Sequence, residues 1–391
     1  MISLDTQLDC VPLKNPIVIA SSPPTETLES ILACARAGCA AVVTKTLAAF
    51  DPAAYRLGGR RTYVDKRGVF ALSTFRRETL TVKEGADLVS RAVARARIPI
   101  IASVGGLSMA PEDWLPACLA AQDAGAAMIQ LDLFYIPQPR ASPRNVRLLN
   151  ELIVALREGL EIPVAPKMNL DYPAFYAAEI LREAEARVAF LIDSVRVPVP
   201  LDIRGSGVRS LVDNTNAGEC SLFGEWQKPI TLQYTRTIAE RLKIDLCAGG
   251  GLTTGLDAAE ALMFGASAVQ YATVIIRRGH GWITWMLRQL EDVLRRNGYS
   301  SVAELRGLAL TALPVEEASI FFDEVRAEIN VDLCTMCERC TTQVFCPDIV
   351  VDAGKIRVLP ECDGCGLCVA ACPTKPKALS LVAARGSEGG Q

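Results

Sequence analysis

Histidine is almost missing from this sequence, which has one, His280, among 391 residues. Sites that combine several imidazole groups, as metal ligands or as paired proton-transfer groups, are therefore excluded. The longest stretch without a charged residue, 261–276, has 16 residues, whereas a membrane-spanning helix needs about 20 apolar residues. The amino-terminal segment also lacks a basic stretch followed by an apolar one, so the sequence predicts neither a membrane span nor a signal peptide.

Clustered positive charge is also absent. The net charge is −3, the isoelectric point is about 5.6, and basic residues gather only in pairs such as those at 76–77 and 295–296. Because a nucleic-acid surface needs a basic patch, no nucleic-acid partner is expected. We expect a cytoplasmic protein, and in that reducing compartment clustered cysteines are metal ligands rather than disulfides.

Cysteine is plentiful and unevenly placed, because eight of the 14 residues lie in two runs near the carboxyl end. The runs read Cys334-x2-Cys337-x2-Cys340-x5-Cys346-Pro347 and Cys362-x2-Cys365-x2-Cys368-x3-Cys372-Pro373. Two-residue gaps let one run supply three thiolates to a [4Fe–4S] cubane, and in two-cluster ferredoxins the fourth cysteine of each run serves the other cluster. The spacing predicts one cluster on Cys334, Cys337, Cys340 and Cys372, and a second on Cys346, Cys362, Cys365 and Cys368.

This tail resembles the bacterial two-cluster [4Fe–4S] ferredoxin module over its whole length, including the proline after each fourth cysteine. It departs from that module in the five-residue gap before Cys346, which lengthens a loop without removing a ligand. The alternative is a pair of zinc sites, because repeated Cys-x2-Cys also suits tetrahedral zinc. The third cysteine at the same spacing and the following proline favour iron–sulfur clusters.

The preceding 310 residues alternate short β-branched runs with segments of helical period. Strands are predicted at 16–21, 40–46, 98–104, 128–133, 162–168, 189–195, 244–249 and 267–273. Amphipathic helices are predicted at 26–37, 82–96, 111–124, 146–159, 173–185, 230–241 and 256–264. Strands buried on both faces and separated by helices indicate a parallel sheet, and eight repeats favour a closed barrel over an open sheet.

The predicted fold class is therefore α/β. A TIM (β/α)8 barrel occupies 1–310, a connection follows at 311–329, and a small α+β ferredoxin-like iron–sulfur domain occupies 330–384. The last residues, 385–391, are predicted to be a disordered tail.

Three connections are longer than simple turns: 47–81, 134–144 and 196–228. The second and third follow strands four and six, so they should lie on the carboxyl face of the barrel, where substrate loops belong. The alternative is that they are variable surface insertions. Their aromatic and ionisable residues favour the first interpretation; these include Phe134, Tyr135, Arg204, Cys220, Phe223 and Trp226.

Glycines follow the seventh predicted strand, at Gly249, Gly250 and Gly251. Glycine lets backbone N–H groups approach a phosphate, and barrels bind phosphate between strands seven and eight. This loop and four other segments resemble the FMN barrel of the dihydroorotate and dihydropyrimidine dehydrogenases over roughly residues 5–310. The segments are PLKNPIVIASSP, VVTKT, IASVGG, PVAPKM and GGGLTTGLDAAEALMFGASAVQYAT.

The resemblance implies FMN as cofactor and assigns residues to it. Contacts to FMN would come from Ala20, Ser21, Lys45, Thr46 and Lys167, and its phosphate would be held by Gly249, Gly250, Gly251, Ala272 and Thr273. Lys167 would lie near the flavin pyrimidine ring, where a cation stabilises the anionic reduced flavin. A purely structural role for this lysine remains the alternative.

The chain departs from that family where the substrate would bind. The family's strand-four motif is Asn-Leu-Ser-Cys-Pro, whose cysteine is the general acid/base, whereas this chain has Asp-Leu-Phe-Tyr-Ile-Pro at 132–137. Asp193 replaces a family asparagine after strand six. Ser73 lies in the segment where a second family asparagine is replaced. Because carboxylates only accept hydrogen bonds, Asp132 and Asp193 predict a ligand with more hydrogen-bond donors than one bound by the family's amides, or a cation. Their alternative role is to cap loops.

Two residues could replace the missing proton donor. Tyr135 is one, because a phenol is neutral at pH 7 and its site can tune it. Cys220 is the other, with a buried apolar thiol as the alternative. His280 could face the cofactor, although a surface helix start is the simpler interpretation.

These features predict an FMN-dependent oxidoreductase that acts on a CH–CH bond of a small, cyclic substrate. The clusters would pass electrons to a ferredoxin or to an NAD(P)H-dependent flavoprotein reductase, in a homo- or hetero-oligomer. The alternative is an electron-transfer subunit, in which FMN is a relay and another chain performs the chemistry. A flavin-free scaffold is the third possibility.

Overall fold

The computed structural model describes residues 2–52, 62–64, 71–73, 79–136, 142–192, 194–198, 201–202, 209–210, 219–312 and 325–383. The chain divides into two compact units, Met1–Leu313 and Pro314–Gln391. We call them the barrel unit and the cluster unit. The predicted tail, 385–391, lies outside the described residues.

Eight parallel strands, numbered β1 to β8 along the chain, form the barrel unit. They are Ile17–Ile19, Ala41–Val43, Ile100–Gly105, Met128–Leu131, Val164–Met168, Val188–Leu191, Asp245–Gly249 and Ala268–Tyr271. Each strand pairs with its neighbours in sequence order, and β8 pairs with β1. The predicted TIM barrel is therefore confirmed, and every strand overlaps one of the eight predicted segments.

Helices surround the barrel, and several of them begin after a residue whose side chain caps the first turn. Their bounds are Leu28–Ala37, Val82–Ala96, Pro111–Asp123, Pro143–Gly159, Ala174–Glu183, Lys228–Ala239, Gly255–Met263, Thr273–Arg278, Gly281–Arg296 and Leu308–Ala312. At the start of the second helix, for example, Thr81 and Glu84 satisfy each other's backbone N–H groups in a capping box. Within the described ranges, every helix is too short or too polar to cross a membrane.

The barrel interior changes from apolar to polar along its axis. Toward the amino end it is filled by side chains such as Ile101, Met128 and Phe190, and a hairpin of Thr6–Leu8 with Val11–Leu13 adds its apolar side chains to the same cluster. Successive residues of a strand point to opposite faces. The inward positions nearer the carboxyl end are therefore those of Ser103, Gln130, Lys167 and Gln270, all buried. Polar groups thus lie directly below the carboxyl face.

Two of the long connections meet in a sheet that the sequence analysis did not predict. This excursion sheet has four antiparallel strands in the order Val195–Pro198, Glu219–Phe223, Ala71–Ser73 and Thr62–Val64. It pairs the segment after β6 with the segment between β2 and β3. The pairing joins residues about 150 positions apart, so local sequence patterns carry no sign of it.

Over its described residues, 325–383, the cluster unit has two small antiparallel pairs and two short helices, Arg339–Thr342 and Leu367–Ala371. Val325–Ile329 pairs with Leu379–Ala383, and Ile349–Asp352 pairs with Lys355–Val358. Val325–Ile329 overlaps the predicted connection, 311–329, and forms a strand there. This strand pairs with Leu379–Ala383, about 50 residues further along the chain. The pairing, rather than the residue pattern of 325–329, therefore defines the strand.

Candidate active site

Lys167 is a buried cation inside the barrel. It is 5% exposed and lies one residue before the end of β5. Burial raises the pKa of the Cys247 thiol well above its usual range. It outweighs the charge of the neighbouring Lys167, which acts on this thiol to lower its pKa. Placing an ammonium group in such surroundings is costly unless negative charge or hydrogen bonds compensate it. Lys167 is therefore suited to an anionic group at the carboxyl face.

A cluster of hydroxyl groups and one carboxylate lies beside it, centred on Thr46. The Thr46 Oγ1 lies 3.2 Å from Ser21 Oγ and 3.0 Å from Ser103 Oγ, and it donates to Asp132 Oδ2 at 3.2 Å. Asp132 is 1% exposed. The structure thus brings together three predicted site residues, Ser21, Thr46 and Asp132. It adds Ser103, which faces inward from β3.

The glycine loop after β7 has a backbone that only glycine adopts easily. Gly250 and Gly251 have φ of 103° and 77°, in the region that L side chains avoid. The Thr231 hydroxyl binds the carbonyls of Gly249 and Gly250, at 3.1 and 2.7 Å. Within the described residues, no protein group accepts a hydrogen bond from the Gly250 or Gly251 amide. These two N–H groups are therefore suited to a ligand such as a phosphate.

An ion pair lies behind the same loop. Lys228 Nζ lies 2.6 Å from Asp257 Oδ1 and 2.7 Å from Glu260 Oε2. The other Asp257 oxygen accepts from the backbone amides of Thr253 and Thr254, at 2.7 and 2.8 Å. Burial would raise the pKa of Asp257, but its hydrogen bonds to Lys228 and to these amides hold the pKa below its usual range. The sequence analysis missed this ion pair. Through Asp257 it holds Thr253 and Thr254, which follow the glycines, in place.

Tyr135 lies in a 3-10 turn, Leu133–Tyr135, directly after Asp132. It is 5% exposed. A Cβ at Gly105 would come within 2.7 Å of the Tyr135 ring and 2.9 Å of the Thr46 methyl group. Gly105 therefore allows the ring to lie against the end of β3, beside the hydroxyl cluster. The Phe50 ring is a further neighbour, with the two centroids 5.9 Å apart.

The other predicted residues after the long connections are placed differently. Cys220 lies in the excursion sheet, where its thiol donates to the Pro198 carbonyl at 3.7 Å and burial raises its pKa. Ser73 lies in the same sheet, opposite Ser221. Asp193 lies outside the described residues. No hydrogen bond in the described part of the chain joins Cys220 to the hydroxyl cluster.

The remaining predicted residues lie at the carboxyl ends of the first, second and last strands. The Ala20 amide donates to the Tyr271 carbonyl at 2.9 Å, which joins the ends of β1 and β8. Lys45 is partly exposed after β2. Ala272 and Thr273, also partly exposed, start the short helix after β8. His280 precedes a helix and lies 2.9 Å from Ser30 Oγ.

The cluster unit groups its thiols in the two predicted sets. A cavity is lined by Cys334, Cys337, Cys340 and Cys372. Burial raises the pKa of Cys340, and Cys334, Cys337 and Cys372 add to this effect. Around Cys368, the thiols that act in the same way are Cys362, Cys346 and Cys365. The fourth cysteine of each run therefore lies with the first three of the other.

The donor chemistry of the first set suits an iron–sulfur cluster. Burial opposes ionisation of Cys372, but the Thr374 hydroxyl and nearby backbone amides outweigh it and lower its pKa to about 7. Thiolate is the form that binds iron. No three His, Cys, Asp or Glu side chains within the described ranges are close enough to hold a single metal ion. Thiolates of a cubane bind separate irons, so they surround a cavity rather than meet at one point.

Comparisons with known proteins define the class. The family model described as "Dihydroorotate dehydrogenase" matches residues 136–294, and the model described as "4Fe-4S dicluster domain" matches residues 326–373. Residues 136–294 are thus similar to the dihydroorotate dehydrogenase family, a family of oxidoreductases, and residues 326–373 match a 4Fe–4S domain. Both resemblances drawn from the sequence are confirmed.

Individual relatives carry the comparison further. The catalytic subunit of dihydroorotate dehydrogenase B (NAD(+)) from Methanothermobacter thermautotrophicus is 27% identical over 314 residues, covering 78% of this chain and 98% of the relative. The NAD-dependent dihydropyrimidine dehydrogenase subunit PreA from Escherichia coli is 28% identical over 253 residues, covering 62% of this chain and 60% of PreA. Both relatives are named as subunits, so each belongs to an assembly with other chains.

Proposed function

We propose that this protein is an FMN-dependent iron–sulfur oxidoreductase that adds or removes two electrons across a polarised C–C bond of a small, cyclic substrate. The observation that carries this proposal is the buried Lys167 at the carboxyl end of the barrel, beside the Thr46 cluster. A buried cation next to hydroxyl groups suits the anionic pyrimidine ring of a reduced flavin. The relatives, dihydroorotate and dihydropyrimidine dehydrogenases by name, support the same chemistry.

The residues at the carboxyl face fit FMN. The phosphate would be held by Gly249, Gly250, Gly251, Ala272 and Thr273, and the ring side by Ala20, Ser21, Lys45, Thr46 and Lys167. The backbone amides of Gly250 and Gly251 supply donors that need no side chain. When bound, FMN supplies hydride exchange with a carbon atom and single-electron exchange with the clusters.

Tyr135 is the proposed proton donor to the substrate carbon. A phenol can donate a proton at pH 7, and by resemblance Tyr135 or its neighbour lies at the position of the family's cysteine, beside Asp132 and the Thr46 cluster. Cys220 is the weaker candidate, because its thiol is already bonded to the Pro198 carbonyl within the excursion sheet. Proton transfer by such a group contributes about 10²- to 10⁴-fold to a rate.

The substrate pocket differs from an orotate or uracil pocket. Asp132, and Asp193 by resemblance, offer acceptors where the family has amides that both donate and accept. Ser73 is the third proposed substrate residue. We therefore propose a substrate with more N–H or O–H donors, or with a positive charge, than orotate has.

Electrons would leave or arrive through two [4Fe–4S] clusters on the two thiol sets. Their partner would be a ferredoxin or an NAD(P)H-dependent flavoprotein reductase. The subunit names of the relatives support a multi-chain assembly.

The test uses the holoprotein, photoreduced without oxygen. It is mixed with uracil, orotate or 2-cyclohexenone, and flavin absorbance is followed. We expect at least one of the ring compounds to reoxidise the flavin and to gain two hydrogen atoms. Orotate should reoxidise it more slowly than it reoxidises the flavin of a dihydroorotate dehydrogenase.

The loss of the strand-four cysteine favours a second candidate, an electron-transfer subunit whose FMN is a relay. In that case none of the three compounds would reoxidise the flavin, whereas ferredoxin would. That result would replace the proposal.

A further inference from the structure

Arg196 joins the carboxyl-end loops of three consecutive barrel strands. It lies on the strand Val195–Pro198, which follows β6. Its Nε lies 3.1 Å from Asp171 Oδ2, in the loop after β5. Its Nη2 donates to the carbonyl oxygens of Phe134 and Ile136, in the turn after β4. One side chain therefore ties together loops that the barrel presents side by side.

The surroundings of Arg196 make these bonds effective. Its side chain is 16% exposed and that of Asp171 is 18% exposed, so water screens the pair only in part. The guanidinium also lies over the Phe134 ring, with 4.3 Å from its central carbon to the ring centroid. A planar guanidinium can bind a carboxylate and two carbonyls while it stacks on a ring, whereas the single ammonium of lysine cannot.

The two carbonyls that Arg196 binds stand on either side of Tyr135 in the chain. The backbone of the turn is thus held before and after the tyrosine, in addition to the bond from the Tyr135 amide to the Asp132 carbonyl at 3.4 Å. The ring is held separately, against Gly105. Arg196 therefore fixes where the turn lies, and Gly105 fixes where the ring can go.

We propose that Arg196 is a positioning residue, which fixes the turn after β4 so that the Tyr135 hydroxyl meets the substrate carbon in one geometry. This inference rests on the proposed function of Tyr135. A proton donor displaced by about 1 Å can cost about 100-fold in rate, even when substrate binding is unchanged. Arg196 thus acts on the proton-transfer step without touching the substrate.

Arg157 offers a matched control. Its Nη1 donates to the carbonyls of Ala184 and Glu185, both at 2.7 Å, and its Nη2 lies 3.3 Å from a Glu185 carboxylate oxygen. These contacts repeat those of Arg196, but they lie just before β6, at the amino end of the barrel. Arg157→Met removes the same kind of contact away from the turn.

The experiment compares Arg196→Met, Arg196→Lys and Arg157→Met in the FMN- and cluster-loaded protein. Hydrogen exchange is measured by mass spectrometry on the peptide that covers 131–136. Reoxidation of the photoreduced flavin by uracil, orotate and 2-cyclohexenone is measured by stopped flow, with and without Tyr135→Phe. Arg196→Lys keeps the charge beside Asp171, so it also serves if Arg196→Met fails to fold.

We expect Arg196→Met to speed exchange in this peptide at least tenfold and to slow reoxidation about 100-fold with KM unchanged. Lysine should restore neither fully, and Arg157→Met should change neither. Because Arg196 acts through Tyr135, adding Arg196→Met to Tyr135→Phe should cause no further slowing. Unchanged exchange, an equal effect of Arg157→Met, or full additivity with Tyr135→Phe would overturn the inference. If no compound reoxidises the wild-type flavin, the proposed function fails, and exchange alone decides whether Arg196 holds the turn.

Discussion

Replacing Gly251 with alanine tests whether the loop after β7 holds the FMN phosphate. The new Cβ would lie 2.9 Å from the Gln227 carbonyl carbon, and nearer still to the Lys228 nitrogen, whereas ordinary contact begins at 3.4 Å. Both neighbours are backbone atoms at the start of a helix, so neither can rotate away. The loop must therefore move by about half an ångström or more. A binding site keeps its geometry only within about 0.5 Å, so this displacement is enough to disturb it.

The expected loss of affinity follows from the Gly250 and Gly251 amides, which have no acceptor among the described protein groups. A hydrogen bond to a charged group contributes about 1.5–3 kcal/mol, and each 1.4 kcal/mol is about a factor of ten in a dissociation constant. Losing the alignment of one amide should weaken FMN binding about 10- to 100-fold. Titration of the apoprotein with FMN, followed by the change in flavin fluorescence, measures this directly.

Gly298→Ala is the matched control, because Gly298 has φ of 75°, close to the 77° of Gly251, but a Cβ there would have no neighbour within 4 Å. Both variants should lose about 1–2 kcal/mol of unfolding free energy, since alanine avoids this backbone region, and Gly251→Ala should lose more because its Cβ also meets backbone atoms. Only Gly251→Ala should weaken FMN binding. Equal affinity of Gly251→Ala and wild type, or equal weakening by Gly298→Ala, would refute a phosphate site at this loop.

Three further outcomes are expected. Tyr135→Phe should slow reoxidation of the photoreduced flavin about 100-fold in stopped-flow measurements. Tyr176→Phe, on an exposed helix face, should not slow it. Equal rates in the wild type and both variants would exclude Tyr135 as the acid. Cys372→Ser should reduce bound iron by about half, and Cys220→Ser should leave the iron content unchanged; loss of iron from the second variant would contradict the ligand assignment. Because the pKa of Asp257 is lower in the folded protein, its ionised form stabilises the fold above pH about 4, and this contribution is lost as the pH falls below that value. Urea unfolding midpoints should therefore fall less steeply with acid in Asp257→Asn than in wild type.

The barrel could be predicted from the sequence because its strands are buried on both faces. Such strands, for example Ile17–Ile19 and Ala41–Val43, are continuous apolar runs separated by helices of clear period. The excursion sheet could not be predicted. Its strands Glu219–Phe223 and Ala71–Ser73 pair across a long separation, and nothing in either segment specifies the other.

The candidate site shows the same division. Lys167 and the glycines could be proposed from the sequence because their positions are set by strands and by a local loop. Ser103 and Lys228 were missed because a buried serine and a surface lysine are common residues, and their roles come from neighbours such as Thr46 and Asp257. Arg196 was missed for a similar reason, since its partners after β4 lie about 60 positions away.

The sequence by itself determined the barrel and the two cysteine runs, because both are encoded by residues close together in the chain. A cluster ligand set in particular can be read from spacing, since one short segment wraps around most of the cluster. Only the tertiary structure decided which groups surround Tyr135, where the Cys220 thiol is directed and what Arg196 holds. Those relations depend on how separate loops meet at the end of a closed barrel, and the distance between loops in space is unrelated to their distance in sequence.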